Sequence, residues 1–158
     1  MRATGTVPTA ALLLLAACGG GVPVAPDCTD PATVERTLAN VFVAVNQRGA
    51  NALGGQVQVN RQEGFLTIGA DTSRFHAAGD TLMLLSAGDS VARAVLILRD
   101  IRTTATEEAA GAFRCAATLE APLWTGDSRP IEYLTIISPD DEHIVTGQVL
   151  GDTEPIPF

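Results

Sequence analysis

The chain has no lysine: its ten basic side chains are all arginine, and eighteen Asp and Glu outnumber them to give a net charge of −8. Acid in that excess repels the phosphates of nucleic acid, which removes nucleic acid from the partners to consider. Aromatic residues are just as scarce, with Trp124 the single tryptophan and Tyr133 the single tyrosine. A platform that stacks sugars or bases on successive rings is excluded with them. The two histidines, His76 and His143, are far apart in sequence, and neither stands at ligand spacing from a cysteine or carboxylate. No metal site is therefore expected, and no cofactor. Asp140-Asp141-Glu142 offers hard oxygens, but without the alternating spacing of a calcium loop it reads as a solvated turn. Long apolar runs are missing too; about 20 residues are needed to cross a bilayer core, and no segment reaches that length.

What is present begins at the N-terminus. Arg2 precedes an apolar stretch from Val7 to Ala17 that includes Leu12-Leu13-Leu14-Leu15 and ends in small residues at Cys18. This is the layout of an export signal, and Pro8, Thr9 and Gly19-Gly20-Gly21 keep it too short to span. Leu15-Ala16-Ala17-Cys18 resembles the lipobox of bacterial lipoproteins, which are cleaved before the cysteine. The resemblance implies a signal peptide over 1–17 and a mature chain starting at a Cys18 that carries diacylglycerol and, in many bacteria, an amide-linked acyl chain. The lipid bilayer would then be a partner through that anchor, because each buried CH₂ contributes roughly 0.8 kcal/mol and several chains hold where one is marginal. A plain secretory signal with a chance cysteine is the alternative. Gly19, where an inner-membrane retention signal would have aspartate, directs the protein to the outer membrane of a cell that has one. The expected location is the cell envelope, facing the periplasm or the surface.

Loss of Arg2 with the signal takes the net charge from −8 to −9. Residues 18–27, rich in Gly and Pro, read as a tether, and residues 28–158 have the length and apolar content of a single domain with its own core. With Cys18 lipidated, Cys28 and Cys115 remain, and an exported compartment permits them to pair. Two free thiols are the alternative, and neither lies in a Cys-x-x-Cys pattern.

Residues 31–48 read two ways. Val34, Leu38, Val41, Phe42 and Val45 form a helical stripe, with Asp30 to cap it, Pro31 in the first turn and Gly49 to end it. Val41 to Val45 is equally a β-branched run of strand length. Beyond Gly54-Gly55 short apolar runs recur between turn residues: Val57–Asn60, Phe65–Ile68, Thr81–Ser86, Ala94–Arg102, Ala112–Glu120, Glu132–Ser138 and His143–Leu150. The expected fold is mainly β, an antiparallel β-sandwich or small barrel, with a short N-terminal helix over 31–48 or a strand in its place. Asp71-Thr72-Ser73 reads as turn chemistry, and Glu107-Glu108-Ala109-Ala110-Gly111 as a short helical turn or loop between strands. Phe42, Ala44, Val45 and Asn46, Gly64–Gly69, and Leu134–Ile137 with Ile144–Gly147 resemble small β-rich domains of unknown function on bacterial lipoproteins. That resemblance favours strand for 41–46, and Ala52-Leu53 stands where those domains carry a tryptophan.

One constellation has catalytic form. Gly88-Asp89-Ser90 after the apolar run Leu82–Leu85, with Asp140-Asp141-Glu142-His143 later, resembles the nucleophile and Asp-x-x-His blocks of GDS-type lipases and esterases. The resemblance implies Ser90 as nucleophile, His143 as base and Asp140 as its orienter. This chain departs from that family in lacking the blocks that supply the oxyanion Gly and Asn, and in reading as strands where the family is doubly wound α/β. A turn and an acidic hairpin tip explain the same residues. Trp124, in a loop-like stretch, either closes one end of the core or anchors a partner. The favoured reading is a non-enzymatic, membrane-tethered β domain that binds a protein, glycan or small-molecule ligand; a purely structural envelope component is the third reading.

Overall fold

A computed structural model describes residues 23–52, 54–55, 57–60, 63–122, 128–140, 142–151 and 154–158. Residues 1–17, Cys18 and Trp124 lie outside the described residues.

Residues Pro31–Ala52 form a helix, α1. Thr33, Val34, Thr37, Leu38, Val41 and Phe42 recur at helical spacing along its buried side. The Asp30 carboxylate accepts from the Ala32 amide at 2.8 Å, and its carbonyl accepts from the Val34 amide at 3.0 Å. The strand alternative for 41–46 is thereby corrected. Val41, Phe42 and Val43 are all buried, and tertiary burial of a helix on several sides outweighs the weak helix propensity of β-branched residues. The helix also runs past Gly49: its last turn closes where the Gly55 amide meets the Ala50 carbonyl at 2.8 Å, with Gly54 at φ 69°.

Nine strands follow: β1 (Val57–Asn60), β2 (Phe65–Ile68), β3 (Asp71–Ala78), β4 (Thr81–Leu85), β5 (Arg93–Glu107), β6 (Ala112–Glu120), β7 (Ser128–Ile137), β8 (His143–Val149) and β9 (Ile156–Pro157). Each pairs antiparallel with its sequence neighbours, giving one nine-stranded sheet in the order β1 to β9. The mainly β, antiparallel expectation is correct. The barrel is not: the sheet is open, with β1 and β9 as its edges. Its reason is α1, which touches β1, β3, β4 and β5 on one side and β8 and β9 on the other, so the sheet bends around the helix instead of closing on itself. A single core results, drawing on Leu38 and Phe42 of α1, Phe75 of β3, Leu82 of β4, Leu98 of β5 and Ile131 of β7.

Asp71-Thr72-Ser73, expected as a turn, opens β3; its outward side chains are polar because that face meets water. The short connection Glu108–Ala110 is a 3₁₀ turn as expected. Hairpin connectivity sets the two ends of the sheet. The β1–β2, β5–β6 and β7–β8 connections lie at one end, together with the start of α1, whereas the β3–β4 connection is staggered away from it, its Asp80 carbonyl accepting from the Leu98 amide of β5 at 2.8 Å. The β2–β3, β4–β5, β6–β7 and β8–β9 connections lie at the other.

Candidate functional site

Composition alone makes the Gly/Pro stretch before Cys28 incapable of burying surface, yet Pro23–Cys28 does so as a strap across the first of those two ends. Ala25 is 4% exposed, and its amide donates to the Gly111 carbonyl at 2.8 Å. Cys28 and Cys115 are joined in a disulfide, both sulfurs buried, which fixes the strap to the middle of β6. The Tyr133 hydroxyl donates to the Cys28 carbonyl at 3.2 Å, and its burial pushes its pKa up to about 12. The strap meets the sheet again at the Pro26 carbonyl, within 3.2 Å of Thr135 Oγ1 and 3.4 Å of Thr33 Oγ1.

These two hydroxyls also hold His143. Its Nε2 lies 2.8 Å from Thr135 Oγ1 and 3.4 Å from Thr33 Oγ1, and both threonines are fully buried. Arg36 of α1 donates to the His143 carbonyl and stands 3.9 Å from the Glu142 carboxylate. Burial holds the imidazole below its ordinary pKa, the nearby Arg36 charge adds to that, and Asp30 opposes it. The site thus favours the neutral imidazole, and His143 knits strap, helix, β7 and β8 together. Beside it, Asn40 Nδ2 donates to the Val145 carbonyl at 2.8 Å.

Outside this knot opens a cleft of about 910 Å³ between β3, the β1–β2 connection and β8, with the first half of α1 as its floor. Its charged and polar lining comes from Glu35, Arg36, Glu63, His76, Glu142 and His143. The two histidines, distant in sequence, therefore face one cleft. Among the described residues no group of three or more His, Cys, Asp or Glu is placed to hold a metal ion. The lining suits a polar or mixed ligand: one guanidinium, Arg36, stands among the carboxylates of Glu35, Glu63 and Glu142, and the size of the cleft matches a small-molecule site.

The esterase constellation is not assembled. Ser90 is exposed in the β4–β5 connection at one end of the sheet, whereas Asp140 and His143 belong to the β7–β8 connection at the other. No hydrogen bond joins Asp140 to His143, and the imidazole Nε2 is occupied by buried hydroxyls. Sequence reading also passes over Arg36, Thr33 and Thr135. The signal for them is Thr33 and Thr37 inside an apolar helical stripe, where a hydroxyl needs a partner: Thr37 finds the Thr33 carbonyl at 2.7 Å, and Thr33 finds the strap and His143. No helix among the described residues is long and apolar enough to cross a membrane. Comparison with protein-family models, with curated proteins and with solved structures finds no match to this chain.

Proposed function

We propose that the protein is an exported lipoprotein, held at the cell envelope by lipid on Cys18, whose β domain binds a ligand or partner without catalysing its conversion. The observation that carries the reading is the Cys28–Cys115 disulfide, since such bonds form and persist in oxidising compartments outside the cytoplasm. It agrees with the lipobox and with an export signal followed by Gly19. In a two-membrane cell the destination is the outer membrane.

The test is metabolic labelling with radioactive palmitate followed by fractionation. The wild-type chain is expected to take up label and sediment with membranes, and Cys18→Ser to do neither. An unlabelled wild-type chain in the soluble fraction would sink the reading.

The binding surface of this reading is the cleft over α1. A ligand that occupies it raises stability by RT ln(1 + [L]/Kd), about 2.7 kcal/mol at a hundredfold excess over Kd, which a melting-temperature screen detects. Protein, glycan and small-molecule ligands are the classes to screen. Absence of any shift across them favours the structural role.

A further inference from the structure

We propose that the strap end of the sheet is a membrane-facing surface, with the tip formed by Val24, Ala109 and Ala110 nearest the bilayer. The proposal rests on the reading of Cys18 as a lipid anchor, and deepens it by saying how the domain stands on the membrane.

Covalent reach supplies the first argument. The chain is fixed to the domain from Pro23 onward by the Ala25–Gly111 hydrogen bond and by the disulfide at Cys28. Only five residue steps separate Cys18 from Pro23, and at 3.3–3.6 Å each they span at most about 18 Å. The two ends of the sheet are farther apart than that: β6 has nine residues and strands rise about 3.4 Å per residue, so the ends stand roughly 30 Å apart. An anchor that leaves from the strap end cannot hold the domain inverted, with Ser90 and the β6–β7 connection against the bilayer and the strap end pointing away from it.

Surface chemistry at the exit point supplies the second. A Cβ on Gly111 would lie 3.2 Å from the Val24 Cα, so Val24 sits directly on the β5–β6 connection. Val24 is 67% exposed, and Ala109 and Ala110 of the same connection carry no charge. The point at which the anchor leaves is therefore an uncharged tip. Beside it stand Glu107 and Glu108 of the same connection, carboxylates that anionic headgroups repel, with Glu107 paired to Arg114 at 2.6 Å. Contact is thus confined to the tip and sustained by the anchor. The cleft, built from the β1–β2 connection and the start of β8, lies at this same end. Its ligand is reached in the narrow space between domain and membrane.

The experiment uses the full lipidated chain in phosphatidylcholine vesicles doped with a headgroup-nitroxide lipid, with a fluorophore on a single introduced cysteine. Ala109→Cys reports the strap end and Ser90→Cys the opposite end; both sites are exposed, and the native pair stays bonded. Several-fold stronger quenching at position 109 than at 90 is expected. Lengthening the tether by twenty Gly/Ser residues after Gly21 should shrink that difference. Equal or reversed quenching on a vesicle-bound chain overturns the orientation and leaves the anchor standing. A wild-type chain that floats free of the vesicles and carries no acyl group overturns the anchor, and the orientation with it.

Discussion

Gly111 closes the 3₁₀ turn in the left-handed region, at φ 57°, and a Cβ there would fall 2.4 Å from the Pro23 carbonyl oxygen. Two penalties therefore coincide, one conformational and one steric. Gly79 separates them: its φ is 62°, but nothing lies within 4 Å of an added Cβ. Gly79→Ala should lose only the left-handed penalty, about 1–2 kcal/mol, and Gly111→Ala measurably more, because the strap backbone must move. Urea denaturation of the two variants measures the difference, and equal losses would show that the strap does not press on the turn. His143 gives a second prediction at this scale. Its folded pKa lies below the unfolded value of 6.5 because burial disfavours the imidazolium. Between those two values the unfolded state binds more protons, so stability rises with pH through the window and is lost as pH falls. The Thr29 side chain holds Asp27 below the usual carboxylate range, so its own loss of stability falls at lower pH, clear of this window. His143→Gln should flatten the melting-temperature slope between pH 7 and 5.5, and an unchanged slope would assign the dependence to other groups.

At the scale of elements, the strap and α1 are the parts that local pairing does not hold. Every strand is bonded to a sequence neighbour, whereas the strap reaches β6 across 87 positions through the disulfide. A loop of that length, opened by replacing both cysteines with Ala, should cost roughly 4–5 kcal/mol by the chain-entropy argument. Chemical denaturation at neutral pH checks it, and a loss below about 1 kcal/mol would mean that the unfolded chain is already compact there. What the residues disclosed follows the same division. Short apolar runs bounded by turn residues, such as Ala112–Glu120 and His143–Leu150, marked strands that exist, because strand length and punctuation survive where strict alternation does not. The disulfide was legible by export and elimination. β3 was hidden because only Phe75 of its eight residues is buried, so the strand has almost no apolar pattern to read. α1 stayed ambiguous because its helical stripe runs through Val41 to Val45, whose valines favour a strand until burial on several sides of the helix decides between them. The knot of Pro26, Thr33, Thr135 and His143 was illegible, since its members are scattered over the whole chain and meet only after the sheet bends.

For the whole molecule, the order of opening follows from how the sheet is backed. Among the central strands β5 to β8, β6 and β7 carry long ladders on both sides and bear Cys115 of the disulfide, Tyr133 and the buried Thr135, and β5 and β8 carry a long ladder on the side that faces them. The β1–β2 hairpin has four-residue strands and β1 faces water along one edge; β9 has two residues held by the Phe158–Gly147 pair of hydrogen bonds, each 2.9 Å. Local opening of such margins breaks few buried contacts, so it needs much less than the global unfolding free energy. Native-state amide exchange should therefore divide the sheet into a slow centre, β5 to β8 with the buried turns of α1, and fast margins at β1, β2 and β9. Gly147 links the two, bonded to Phe158 on one side and packed on β7 on the other: an added Cβ would sit 2.3 Å from the Glu132 carbonyl oxygen and 2.6 Å from the Tyr133 Cβ. Gly147→Ala should accordingly speed exchange in β7 and β8 as well as β9, collapsing the division from the C-terminal side while β1 and β2 keep their rates. Uniform acceleration across all nine strands would instead identify the sheet and its central helix as one cooperative unit.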